Sequence, residues 1–138
     1  MFKAILGLIG ICTLVCSATA LAESSEDQAA REAALQWLIV LDAGKYGDAA
    51  QMMSQEIRAQ RDWRSYFAKR RAPLGAANRR HFVEVKDRAT VPGAVGVRTY
   101  VVLRFKTSFE RGSVAIEEMV MAKMGCCWEV FGYQIGDK

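Results

Sequence analysis

Four cysteines, a single histidine and an adjacent pair of glutamates bound the chemistry open to this 138-residue chain. Cys126 and Cys127 are neighbours. The peptide between them holds their α-carbons about 3.8 Å apart, short of the roughly 4.4–6.8 Å of ordinary disulfides. A bond between them would be strained and easily reduced; the alternative is an intermolecular bond through one thiol. Either way Cys126 and Cys127 are the redox candidates. Zinc wants four protein ligands, or three and a water, and His81 with two cysteines distant in sequence is too small a set. No metal or other cofactor is expected. His81 also has no nucleophile in a triad context, and reads as an edge or core residue.

Glu117 and Glu118 lie in a stretch, 114–123, that is apolar on both sides and reads as a central strand. Successive strand residues point to opposite faces, so at most one of the two enters the interior. The phase shared with Ile116 and Val120 selects Glu118. An ionised carboxylate there needs a partner, which Arg104 or an upstream arginine can supply. Opposite Tyr133 or Tyr100, the same carboxylate could serve as the base of a proton transfer. The competing reading is a buried or rim ion pair, since such pairs also shift pKa values.

Positioning these groups takes helices followed by strands. Ser25 and Gln28 fit a capping box. Ala30, Ala33, Ala34, Trp37, Leu38 and Leu41 then recur at helical spacing up to a stop at Gly44. A short second helix is predicted over 46–53. A third, over 60–72, has Trp63, Tyr66, Phe67 and Arg70 inside, Arg61, Arg64 and Arg71 outside, and Pro73 as terminator. From Arg80 the period changes to two. Strands are predicted over 80–87, 97–107, 114–123 and 127–135, with turns at Pro92-Gly93 and Glu110-Arg111-Gly112. Gly132 suits a bulge in the last strand or close packing by a helix, rather than ligand approach. This order predicts an α+β domain, its helices packed on a curved four-stranded antiparallel sheet.

Lys3, the apolar run after it and the Ala20-Leu21-Ala22 ending form a secretory signal peptide, residues 1–22, with cleavage predicted after Ala22. Residues 23–138 then form a single domain. Thr13, Ser17 and Thr19 interrupt the run before it reaches the about 20 residues of a membrane span, so no stable membrane insertion is expected after cleavage. The expected location is periplasmic or secreted. Cys12 and Cys16 leave with the leader, which leaves too few cysteines for a disulfide framework. The formal net charge is +4, unevenly spread: Arg58, Arg61, Arg64, Lys69, Arg70, Arg71, Arg79 and Arg80 face only Asp62 within 58–80. An anionic ligand or lipid surface would suit that face, but charge runs are mostly solvated. No nucleic-acid-reading motif accompanies it, and no nucleic-acid partner is expected.

Several strings together carry a family signal: WLxxLDxGKY at 37–46, Trp63, RAPLG at 71–75, Arg79 or Arg80, Pro92-Gly93, YVVLRF at 100–105, Thr107 with Phe109, Glu118, and WEVFGY at 128–133. In these the chain resembles the exported bacterial proteins grouped as domain of unknown function 4019 (DUF4019). The resemblance implies a cone similar to nuclear transport factor 2 and ketosteroid isomerase, with a pocket between helices and sheet, and implies no known activity. Where members of that family usually carry an Asp-Gly type hairpin before the tryptophan, this chain has Gly125-Cys126-Cys127, so Gly125 must take the turn, placing both thiols at or beside an exposed tip. Trp63, Phe67, Arg104, Glu118 and Tyr133 are the candidates for lining that pocket. The expected function is non-catalytic: binding of a small apolar or anionic molecule, or interaction with an envelope protein. Arg98, Arg104 and Lys106 interleaved with Tyr100 and Val102 suggest a homodimer through the outer sheet face. The alternative is an isomerase- or hydrolase-like enzyme using Glu118 with Tyr133 or Tyr100.

Overall fold

The computed structural model describes residues 24–93 and 96–137; the expected leader and its expected cleavage site lie outside the described residues. Helix α1 (Ser25–Asp42) is capped by Ser24, whose Oγ accepts from the Asp27 amide at 3.1 Å, one residue before the expected cap. Its stripe of Ala30, Ala34, Trp37, Leu38 and Leu41 is buried. Short helices α2 (Tyr46–Gln51) and α3 (Gln55–Arg58) precede α4 (Trp63–Arg71). The Asp62 carboxylate caps α4, accepting from the Ser65 amide at 3.1 Å and the Ser65 hydroxyl at 2.7 Å. That cap starts the helix at Trp63 rather than 60. Trp63, Phe67 and Arg71, four apart, form its buried row. Arg71 therefore faces inward and Arg70 is exposed, the reverse of the expected assignment.

Strands β1 (Ala77–Gly93), β2 (Gly96–Phe109), β3 (Val114–Met124) and β4 (Cys127–Gly136) form one antiparallel sheet in chain order. β1 runs beyond the expected end at residue 87. Pro92 and Gly93 are ladder residues opposite Val97 and Gly96 rather than a turn. β1 is an edge strand, where a proline's missing amide hydrogen costs no ladder bond. Register shifts interrupt β1 at three places. On β4 one more places Phe131 as an extra residue between Val130 and Gly132, with Gly132 opposite Val120. A Cβ on Gly132 would meet a Val120 methyl at 3.4 Å, at the near edge of ordinary van der Waals contact.

The space between helices and sheet is filled. Trp37 packs on Phe67 and Tyr133 with ring centroids 5.5 and 5.4 Å apart, and Phe67 on Trp63 at 5.7 Å. The two buried indoles are satisfied: Trp37 donates to the Ala49 carbonyl at 2.8 Å and Trp63 to the Ile57 carbonyl at 2.7 Å. From the sheet come Val101, Leu103, Phe105, Met119 and Met121. Phe67 is fully buried at the centre, so Phe67→Ala should lower unfolding free energy by about 3–5 kcal/mol. Val83 is exposed, and Val83→Ala should change it by less than about 0.5 kcal/mol. Urea denaturation checks the pair, and equal effects would contradict this packing.

Candidate functional site

One buried cluster collects a side chain from α1, α4 and every strand. Its centre is Glu117 of β3, which is 0% exposed. Glu117 Oε1 accepts from Arg71 Nη1 at 2.9 Å and from the Tyr133 hydroxyl at 2.7 Å. Its Oε2 accepts from Arg80 Nε at 2.8 Å and from the Thr107 hydroxyl at 2.5 Å. Asp42, at the end of α1, receives Arg71 Nη2 at 2.5 Å and both Nη groups of Arg80 at 2.7 and 3.0 Å. Arg71 Nη1 also donates to the Tyr133 oxygen at 3.1 Å, and the guanidinium carbon stands 4.9 Å from the Phe109 ring centroid. Arg71 Nε has no hydrogen-bond partner.

Two arginines face two carboxylates, so the cluster is neutral as a unit, although each charge alone would be costly to bury. Burial opposes the charge of Asp42, but Arg80 and Arg71 outweigh it and hold its carboxyl below the usual range. Burial likewise opposes both guanidiniums. Tyr133, Glu117 and Asp42 more than compensate at Arg71, and Asp42 and Glu117 do so at Arg80. Burial, with the Glu117 charge beside it, pushes the Tyr133 phenol well above its ordinary value of 10, so it stays a donor. A carboxylate offers about four acceptor positions, and the four donors on Glu117 use them. It has no direction left from which to take a substrate proton; the arrangement is a clamp.

Glu118 is not the inward glutamate. β3 turns Ala115, Glu117, Met119 and Met121 to the core and leaves Ile116, Glu118 and Val120 half-buried on the other side. There Glu118 takes Lys86 Nζ at 3.0 and 3.2 Å, with Arg104 Nε at 3.5 Å. Arg104 is its cross-strand neighbour, the expected counter-ion on the unexpected face, and also reaches Glu84 at 2.9 Å. Trp63, Phe67 and Tyr133 are core residues packed between the helices and the sheet. Trp63, Glu118 and Tyr133 nevertheless meet at an open surface cleft of about 320 Å³ beside β4, with Tyr66 and Phe131. Phe67 and Arg104 are not among its walls. Tyr100 packs its ring against Phe131 at 5.2 Å, away from Glu117.

The basic segment is largely engaged within the chain. Arg58 donates to the Gln51 side chain at 2.9 Å, Arg61 stacks over Trp63 and Tyr66, and Arg70 donates to the Ile135 carbonyl at 2.7 Å. Cys126 and Cys127 are joined to each other at the exposed β3–β4 tip. Among the described residues no group of three or more His, Cys, Asp or Glu could hold a metal ion, and no helix is long and apolar enough to cross a membrane.

The fold and the cluster define a small α+β domain whose helical layer is pinned to a curved sheet by buried ion pairs. A family described as "Protein of unknown function (DUF4019)" matches residues 33–133, and the chain belongs to it. No curated protein and no solved structure matches the chain. Asp42, Arg71, Arg80, Thr107 and Tyr133, all within the strings that carried the resemblance, converge in space on Glu117. The spacing Trp63–Phe67–Arg71 admitted Arg71 inside without requiring it.

Removing one partner of a buried ion cluster strands the others. Glu117→Gln should cost about 3–5 kcal/mol of stability; Glu118→Gln, on the outer face, should cost no more than about 1 kcal/mol. Urea unfolding of the two variants distinguishes them, and a larger loss for Glu118→Gln would contradict the geometry. Because the folded carboxyl of Asp42 titrates below its unfolded value, its contribution is complete above about pH 4 and is lost as pH falls through the lower folded value. Asp42→Asn should flatten the acid limb of a stability–pH profile; an unchanged slope below about pH 4 would contradict this.

Proposed function

We propose that this chain is an exported, non-catalytic interaction module that pairs with a second copy of itself through the outer face of its sheet. The observation that carries the reading is that face. Tyr100, Val102, Ile116 and Val120 are half-buried there and lie outside the core cluster, with Phe131 against the Tyr100 ring. Beside this apolar strip stand charges of both signs, Lys86 and Arg104 with Glu84 and Glu118. A twofold interface brings one patch against its own copy. A face of a single sign would repel itself, whereas alternating signs around an apolar centre can match. Export rests on the leader-like residues 1–22, and the location on this reading is periplasmic or secreted.

The isomerase- or hydrolase-like alternative finds no base: Glu117 has its acceptor positions filled, and Glu118 is held by Lys86 and Arg104. A small apolar or anionic ligand would sit not in the filled cone but in the cleft beside β4, where Arg61 lies over Trp63 and Tyr66. Light scattering at micromolar concentration should give twice the chain mass, and Val120→Arg should return it to one chain while leaving the circular dichroism spectrum of the folded chain unchanged. A monomer mass for the unaltered protein overturns the pairing. Recovery of uncleaved protein from the cytoplasm overturns export.

A further inference from the structure

The β3–β4 hairpin turns through Gly125 and Cys126, with Met124 and Cys127 as its last ladder pair. Gly125 takes φ +64°, a value that glycine adopts without the steric cost of a Cβ. The tight loop leaves both cysteines exposed. They are bonded to each other, with α-carbons 3.7 Å apart.

This bond does little as a staple. In the chain-entropy account a cross-link stabilises by restricting the unfolded chain, and the effect shrinks with the loop it closes; here the loop is two adjacent residues. The hairpin is already joined by the β3–β4 ladder, and Lys123 Nζ ties its β3 end to Glu26 of α1 at 2.8 Å. What remains is reactivity. Neighbouring cysteines fall short of the usual α-carbon separation, which makes their bond more readily reduced, and both sulfur-bearing residues are exposed. The Ser54 amide joins the β4 edge at Val130, donating to its carbonyl at 2.9 Å. Towards the tip an open cleft of about 680 Å³ follows, walled by Met52, Gln55, Met124 and Glu129 among others.

We propose that Cys126–Cys127 is a thiol–disulfide exchange site that accepts two electrons from a dithiol. A thiolate of the dithiol attacks one Sγ; a mixed disulfide forms as the Cys126–Cys127 bond breaks, and the other cysteine leaves as a thiolate and takes up a proton. The dithiol's second sulfur, having lost its proton, then attacks its own partner sulfur in the mixed disulfide. The dithiol closes to a disulfide and the second cysteine is released and protonated. Two electrons and two protons have passed to the chain. Because the bond spans only the tip, the fold survives reduction and the exchange runs in either direction.

The test treats the folded, exported protein with dithiothreitol as the dithiol, quenches in acid, alkylates and maps the tip peptide by mass spectrometry. No alkyl group is expected on Cys126 and Cys127 before reduction and one on each after it, in the absence of denaturant and with the urea midpoint unmoved. Cys126→Ser and Cys127→Ser should each keep that midpoint and gain the mass of one glutathione from oxidised glutathione. Alkylation of both thiols before any reductant overturns the proposal. So does resistance to dithiothreitol until urea is added, loss of the fold on reduction, or a single-cysteine variant that takes no glutathione.

Discussion

Glu117 is the one group on which the rest of this structure depends. A fully buried carboxylate is tolerable only with its charge matched and its lone pairs occupied. Meeting both conditions draws Arg71 from α4, Arg80 from β1, Thr107 from β2 and Tyr133 from β4 to a single point. Two guanidiniums then exceed one carboxylate by a charge, and Asp42 supplies the balance. Asp42 is acidic at the C-terminal end of α1, where the helix dipole disfavours it, so the two arginines also offset that local penalty. The chain thereby fixes the ends of α1 and α4 against the sheet.

Tyr133 joins this polar centre to the apolar one. Its hydroxyl donates to Glu117 while its ring packs on Trp37 and Phe67. The cone is thus filled by charge pairs at one end and aromatics beside them. The apolar strip with its paired charges, the cleft beside β4 and the hairpin tip lie outside this packed interior.

Much of the architecture was legible, because it rests on spacing that admits one solution. The stripe from Ala30 to Leu41 could only be a buried helix face, and Gly125 takes the turn that the family's hairpin implied; Gly132 admitted either a bulge or close helix packing, and β4 shows the bulge. The inward glutamate was not legible, because β3 is apolar on both sides. Ile116 and Val120 are as hydrophobic as Met119 and Met121, yet they face outward and took Glu118 with them in the phase argument. Arg71 was not legible because both Arg70, three residues after Phe67, and Arg71, four after it, fit helical spacing, and only the counter-ions Glu117 and Asp42, distant in sequence, decide for Arg71. Pro92 suggested a turn because a proline is forbidden only where its strand must donate, and the edge position of β1 is a property of the sheet rather than of the local sequence.

The central claim is that the cluster works by mutual pairing, each charge being tolerable because the others are present. A double-mutant cycle on Arg71 and Glu117 tests it most directly, using Arg71→Met, Glu117→Leu and the combined variant in urea unfolding. Removing both leaves Arg80 paired with Asp42 and the interior neutral. The combined loss should therefore fall short of the summed single losses by more than about 1 kcal/mol. Losses that add to within about 0.5 kcal/mol would contradict the account.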